Sequence, residues 1–166
     1  MALELNAADE GVRAGTRAHV FDRILVVCVG NICRSPMAEA LLASRLAARG
    51  ARSVVESAGV AALVGRPADP TAQDLMRERG IDISRHRARQ LDPGLVASSD
   101  LVLVMDTGLQ REVEGMLPSA RGRVHRLGRW GRFEIPDPYR QDRAAFERSL
   151  ALIERGVDDL EKAFWR

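Results

Sequence analysis

Cysteine is scarce in this chain: Cys28 and Cys33 are the only two in 166 residues. Two thiols so close together cannot staple a secreted disulfide scaffold, which points to a reducing compartment, the cytoplasm. Histidine is equally thin. His19, His86 and His125 do not fall at ligand-like spacings with the cysteines, so no metal centre is expected. Lysine is all but missing, with Lys162 alone, and the basic residues are arginine. That pattern reads first as compositional bias and second as a phosphate-binding surface. The formal net charge of +2 is too near neutral to indicate nucleic acid. No run is long and apolar enough to span a membrane. The first twenty residues lack a signal-type apolar stretch and carry Glu4, Asp9 and Glu10.

What is present fits one soluble domain. Residues 1–21 are small and polar and read as a flexible N-terminal extension, with a single domain over residues 22–166. Ile24–Val27 is a short apolar run of buried-strand type, and Ser35–Arg49 follows as a helix ended by Gly50. Met37 pairs with Leu41, and Leu42 with Leu46, on one helical face. Val54–Ala58 reads as a second strand and Val60–Asp69 as a loop. Pro70–Arg79 is helical, Asp100–Met105 a buried strand, Thr107–Leu117 a helix and Val124–Leu127 a short last strand. Phe146, Leu150, Ile153, Val157, Leu160 and Phe164 recur at helical spacing and predict an amphipathic C-terminal helix that packs on the core. Strands alternating with helices imply an α/β fold with an open parallel sheet. Ligands of such sheets bind beyond the carboxyl ends of the strands.

The segment Cys28-Val29-Gly30-Asn31-Ile32-Cys33-Arg34-Ser35-Pro36 lies at such an end. It joins a strand to a helix N-terminus, where converging N–H groups and the helix dipole favour an anion. A cysteine facing that terminus and an arginine is expected to serve as a thiolate nucleophile. Arg34 has the planar fork that grips two phosphate oxygens. Gly30 admits close backbone geometry, Asn31 tolerates a left-handed conformation, and Ser35 can donate its hydroxyl to the sulfur. For Cys33 two readings stand side by side. It packs beneath the loop, or it forms a reversible disulfide with Cys28 that shields the nucleophile from over-oxidation. The acid for a leaving oxygen is sought in Ile135-Pro136-Asp137-Pro138-Tyr139, where two prolines present one carboxylate beside an aromatic ring.

Together, Cys28–Pro36 and Asp137-Pro138-Tyr139 resemble the low-molecular-weight protein tyrosine phosphatases, from about Arg23 to the C-terminal helix. The resemblance implies a flavodoxin-like fold of phosphotyrosine phosphatase I type: an open four-stranded parallel sheet with helices on both faces. It implies no metal and no cofactor. By that likeness Cys28 attacks phosphorus and carries a phosphocysteine, Arg34 holds the phosphoryl oxygens, and Asp137 is the general acid and then base. Val29, Gly30, Asn31, Ile32, Cys33 and Ser35 line the substrate, with Leu63 and Tyr139 as pocket walls. Ser57, in Glu56-Ser57-Ala58-Gly59, and His86, in His86-Arg87-Ala88-Arg89-Gln90, support the loop. The walls and the stretch around Asp137 resemble the bacterial branch associated with capsule and exopolysaccharide genes. The implied partner is a phosphotyrosine protein, a membrane tyrosine autokinase, met by a cytoplasmic monomer or weak dimer. Arg66, Arg87, Arg89 and Arg140 have two readings: guides for its charged tail, or a solvated arginine-rich surface. Three rivals are disfavoured by the residues. An arsenate reductase needs a further relay cysteine. A protein-arginine phosphatase is expected to carry threonine where Ile32 stands. A non-catalytic phosphate-binding module predicts loss of Cys28, Arg34 or Asp137.

Overall fold

The structure, a computed structural model, describes residues 20–165, so most of the expected extension, residues 1–19, lies outside the described residues. Phe21, placed by sequence in that extension, belongs to the packed domain. Its ring meets Phe164 and Trp165 edge-on, with centroids 5.1 and 5.8 Å away. Its carbonyl accepts the Ser53 hydroxyl. The sequence signal failed there because one aromatic residue in a polar stretch has no periodicity.

Four strands form one sheet: β1 (Arg23–Cys28), β2 (Val54–Gly59), β3 (Leu101–Val104) and β4 (Val124–Arg126). Every pairing is parallel, and the spatial order is β2-β1-β3-β4. Ile24–Cys28 and all of β3 are buried residue by residue, so both faces of the sheet are covered. That accounts for the unbroken apolar runs read in the sequence. β3 stops one residue short of the expected span at each end. Asp100 donates its N–H to the Arg23 carbonyl, and its carboxylate turns to the backbone N–H groups of Asp22 and Arg23.

Among the described residues five α-helices surround the sheet: α1 (Arg34–Ala48), α2 (Pro70–Glu78), α3 (Pro93–Ala97), α4 (Thr107–Met116) and α5 (Arg143–Phe164). Asp69, Asp92, Asp106 and Asp142 cap α2 to α5, each accepting a first-turn backbone N–H. Short 3₁₀ turns fill Pro118–Arg123 and Arg129–Gly131. The buried faces of α1 (Met37, Leu41, Leu42, Leu46) and α5 (Phe146, Leu150, Ile153, Val157, Leu160) are the ones the spacing predicts. These two helices pack together, and Arg45 of α1 and Arg49 just past its end lock onto Asp158 and Glu161 of α5.

The strand order fixes where a ligand can sit. From β1 the chain goes to β2 on one side, then crosses to β3 on the other. The carboxyl ends of β1 and β3 therefore flank the crevice of an open α/β sheet. Cys28 ends β1 and Asp106 follows β3.

Candidate active site

The loop from Cys28 to Arg34 folds around its own sulfur. The backbone N–H of Asn31 points at Cys28 Sγ at 3.3 Å, and Ser35 Oγ lies 2.8 Å from the same atom. Asn31 Nδ2 donates to Ser35 Oγ at 2.8 Å, which leaves the serine's own proton to be directed at the sulfur. Asn31 takes the left-handed conformation expected of it, with φ of +58°. Its amide is fully engaged: Nδ2 also donates to Ser57 Oγ, and Oδ1 accepts from the backbone N–H of Arg89. Its carbonyl faces His86 Nε2 at 2.7 Å, so Nε2 carries the ring proton. Asn31, Ser35, Ser57 and His86 thus stand in one hydrogen-bonded group beneath the loop. The His86 side chain is 9% exposed, so it belongs to this group and not to the surrounding arginine surface.

Arg34 is 1% exposed. Its Nη1 donates to the Ile135 carbonyl at 2.8 Å and faces Asp106 Oδ2 at 3.4 Å. The other oxygen of Asp106 caps α4 through Leu109 N–H, so one carboxylate fixes a helix and orients a guanidinium. Arg34 Nε is buried without a hydrogen-bond partner among the described residues. The Nε–Nη2 edge of the fork is therefore the side left for an anion. Nη2 lies 3.6 Å from the carboxylate of Asp137, which is partly exposed. Asp137 Oδ1 accepts the Tyr139 N–H, a local turn between the two prolines. Cys28, Arg34 and Asp137 therefore converge, although Asp137 is more than a hundred residues away in sequence.

Leu63 reaches the loop from the other side. Its N–H donates to the Gly30 carbonyl, and a Cβ at Gly30 would come within 3.9 Å of its side chain. Ala61 N–H holds the Val29 carbonyl, and Asp69 N–H holds that of Ile32. Tyr139 lies at the surface with the Arg140 guanidinium over its ring at 5.2 Å. Ile32 and Cys33 are buried, Val29 is exposed, and both cysteines are free thiols. Burial, reinforced by the Asp69 carboxylate, pushes the Cys33 thiol up, so it stays protonated. Among the arginines read as guides, Arg89 is otherwise employed. It bonds the Ser57 carbonyl and pairs with Glu56. Arg87 folds back on the carbonyls of Ser84 and His86.

Four contributors escaped the sequence reading. Asp106 and the Ile135 carbonyl hold Arg34, and the cap signal after β3 was the only sequence hint of the former. Gly59 must lack a side chain, since a Cβ there would fall 2.4 Å from the Val29 carbonyl oxygen. Glu39, on α1, lies 3.8 Å from His86 Nδ1. Burial pushes its carboxyl up to about 7, while hydrogen bonds from Ser57 and nearby Arg89 pull the other way. Burial also draws His86 down from its ordinary range. The folded protein thus holds a proton on Glu39 that the unfolded chain releases near pH 4.5. The contribution is complete below that pH and is lost as pH rises through about 7. His86 acts in the opposite sense, losing stability as pH falls below 6.5. Glu39→Gln is expected to melt increasingly above the wild type between pH 5 and pH 8, by up to about 2–3 kcal/mol. Thermal melts of both proteins across that range check it, and a constant difference would sink it.

Among the described residues no helix is long and apolar enough to cross a membrane, and no group of three or more His, Cys, Asp or Glu is placed to hold a metal ion. A doubly covered parallel sheet whose first strand ends in a cysteine–arginine anion loop defines a phosphate-loop hydrolase fold. The chain belongs to the low molecular weight phosphotyrosine protein phosphatase family, which matches residues 23–166. It is 56% identical over 135 residues to a probable low molecular weight protein-tyrosine-phosphatase, EpsP, of Ralstonia solanacearum, covering 81% of this chain and 90% of that relative. It is 44% identical over 139 residues to the low molecular weight protein-tyrosine-phosphatase Wzb of Escherichia coli K12, covering 83% and 92%. The solved structure of Vibrio vulnificus Wzb in complex with benzylphosphonate matches with a TM-score of 0.81 at 40% identity, over 86% of this chain and 99% of that one. The expected four-stranded parallel fold and phosphatase class are those observed.

Proposed function

We propose that this chain hydrolyses phosphotyrosine through a phosphocysteine intermediate. Acting in the cytoplasm, it takes as its protein substrate a membrane tyrosine autokinase that governs capsule or exopolysaccharide production. The observation that carries the reading is the convergence of Cys28, Arg34 and Asp137 at the carboxyl end of β1. Cys28 Sγ attacks phosphorus, and the S–P bond forms as the aryl P–O bond breaks. Asp137 gives its proton to the departing phenolate oxygen. Water then attacks the phosphocysteine, Asp137 takes a proton from it, the S–P bond breaks and orthophosphate leaves. Arg34 binds two equatorial oxygens along its Nε–Nη2 edge throughout, a planar match that lysine lacks. The Ser35 hydroxyl stabilises the sulfur as it is expelled.

The loop from Val29 to Cys33 surrounds the phosphoryl group, and Leu63 and Tyr139 flank the ring. The Vibrio relative binds benzylphosphonate, a phenyl ring one carbon from phosphorus, which supports an aryl-shaped pocket. The autokinase assignment is supported by likeness to relatives named EpsP and Wzb. Steady-state hydrolysis of phosphotyrosine, phosphoserine and phosphoarginine peptides tests the reading. Turnover of phosphotyrosine is expected to exceed the others by roughly a hundredfold or more, consistent with a pocket that orients the leaving group. Preferred turnover of phosphoarginine would move the assignment to a protein-arginine phosphatase. Phosphate binding with no turnover would move it to a binding module.

A further inference from the structure

Asp137 sits between Pro136 and Pro138, and neither proline has an N–H. A segment so poor in donors is held by its carbonyls, and four successive ones are taken. The Ile135 carbonyl accepts from Arg34 Nη1 at 2.8 Å, and the Pro136 carbonyl accepts from Ser149 Oγ at 2.8 Å. The Asp137 carbonyl accepts from Gln141 Nε2 at 3.1 Å, and the Pro138 carbonyl from Gln141 N–H at 2.9 Å. Of these donors, Arg34 stands where the anion loop enters α1 and Gln141 belongs to the same surface segment. Ser149 comes from within α5, away from the anion loop.

Its placement is unusual for its residue type. Ser149 is fully buried in the middle of α5, on a face otherwise made of Ala145, Phe146, Leu150, Ile153 and Val157. A buried helical serine ordinarily turns its hydroxyl back to its own helix. Here the hydroxyl reaches out to the peptide group that joins Pro136 to Asp137. The orientation of that peptide plane sets the direction of the Asp137 Cα–Cβ bond. The Asp137 carboxylate is partly exposed, and its own contacts are the local Tyr139 N–H and the guanidinium of Arg34, 3.6 Å away, so the aim of its backbone matters.

We infer that Ser149 is a positioning residue for Asp137: through the Pro136 carbonyl it ties the acid-bearing segment to α5 and aims the carboxyl at the leaving oxygen. This rests on Asp137 being the general acid. A general acid contributes about 10²–10⁴-fold, and misplacement by about an ångström forfeits a large part of that.

The test compares kcat/KM for phenyl phosphate, a poor leaving group, with that for p-nitrophenyl phosphate, a good one. It uses the full chain as wild type, Ser149→Ala, Asp137→Asn and the double variant, with thermal melts alongside. Ser149→Ala is expected to lose roughly tenfold on phenyl phosphate and less than twofold on the nitrophenyl ester. In the Asp137→Asn background the same change is expected to add nothing, because the group it aims is gone. Equal losses on both esters, or an additive loss in the double variant, would overturn the inference and leave Ser149 a packing residue. A flat leaving-group response in Asp137→Asn would overturn the acid role instead. Should Ser149→Ala melt before assay, Ser149→Cys, near in size with a weaker donor, carries the same comparison.

Discussion

Cys28→Ser is expected to lower turnover of a phosphotyrosine peptide by roughly four orders of magnitude or more, the scale seen when a nucleophile is removed from a site whose parts act as a unit. A serine hydroxyl at neutral pH is a far weaker nucleophile than a thiolate, and the groups that meet the Cys28 sulfur, the Asn31 N–H and the Ser35 hydroxyl, are not bases that would activate it. Phosphate affinity is expected to survive within a few-fold. The guanidinium that binds it is fixed by Ile135 and Asp106, neither of which touches the sulfur. Calorimetric titration of inorganic phosphate beside single-turnover kinetics separates the two quantities. Retained hydrolysis in the variant would sink the covalent mechanism. Lost phosphate binding would show that the sulfur, and not the arginine, shapes the cradle.

Asn31→Ala is expected to be the most damaging substitution for the fold of the loop. It removes donors to Ser35 and Ser57 and the acceptor for Arg89 N–H, all in buried or half-buried surroundings. Unsatisfied buried polar groups cost about 1–3 kcal/mol each, and holding alanine at a left-handed φ adds about 1–2 kcal/mol. A total near 3–5 kcal/mol follows, since the three groups will not be lost independently. For a domain of this size that lowers Tm by roughly 10 °C. Asn31→Gly keeps the bond losses and relieves the backbone term, so the difference between the two variants isolates it. A loss under about 1 kcal/mol for the alanine variant would mean that the network is dispensable.

The nucleophile loop was legible because its chemistry is contiguous. Cys28, Asn31, Arg34 and Ser35 occupy one strand–loop–helix segment whose order already dictates their meeting. β1, β3 and α5 were legible for a related reason, since full burial and a long apolar stripe both leave marks in linear order. Short helical elements leave none: α3 has five residues and the 3₁₀ turns six and three, too few to express a helical period. Asp106, Gly59, Glu39 and Ser149 were illegible as site residues, because each acts through a neighbour that only the folded chain supplies. Arg89 shows the converse. Charge alone cannot distinguish an arginine that meets a ligand from one turned inward onto a carbonyl and a glutamate.

The grip of α5 on both α1 and the Asp137 segment has a consequence for synthesis. The nucleophile loop is among the first parts of the domain to leave the ribosome, while Ser149 and the apolar face that covers α1 are among the last. Until residues near Phe164 emerge, Leu41, Leu42 and Leu46 have no helix to cover them, and the nascent chain presents that stripe to whatever binds exposed apolar surface. A half-made chain can display the cysteine loop but not the aimed carboxyl. Reactivity toward phosphotyrosine is thereby deferred to the completed domain.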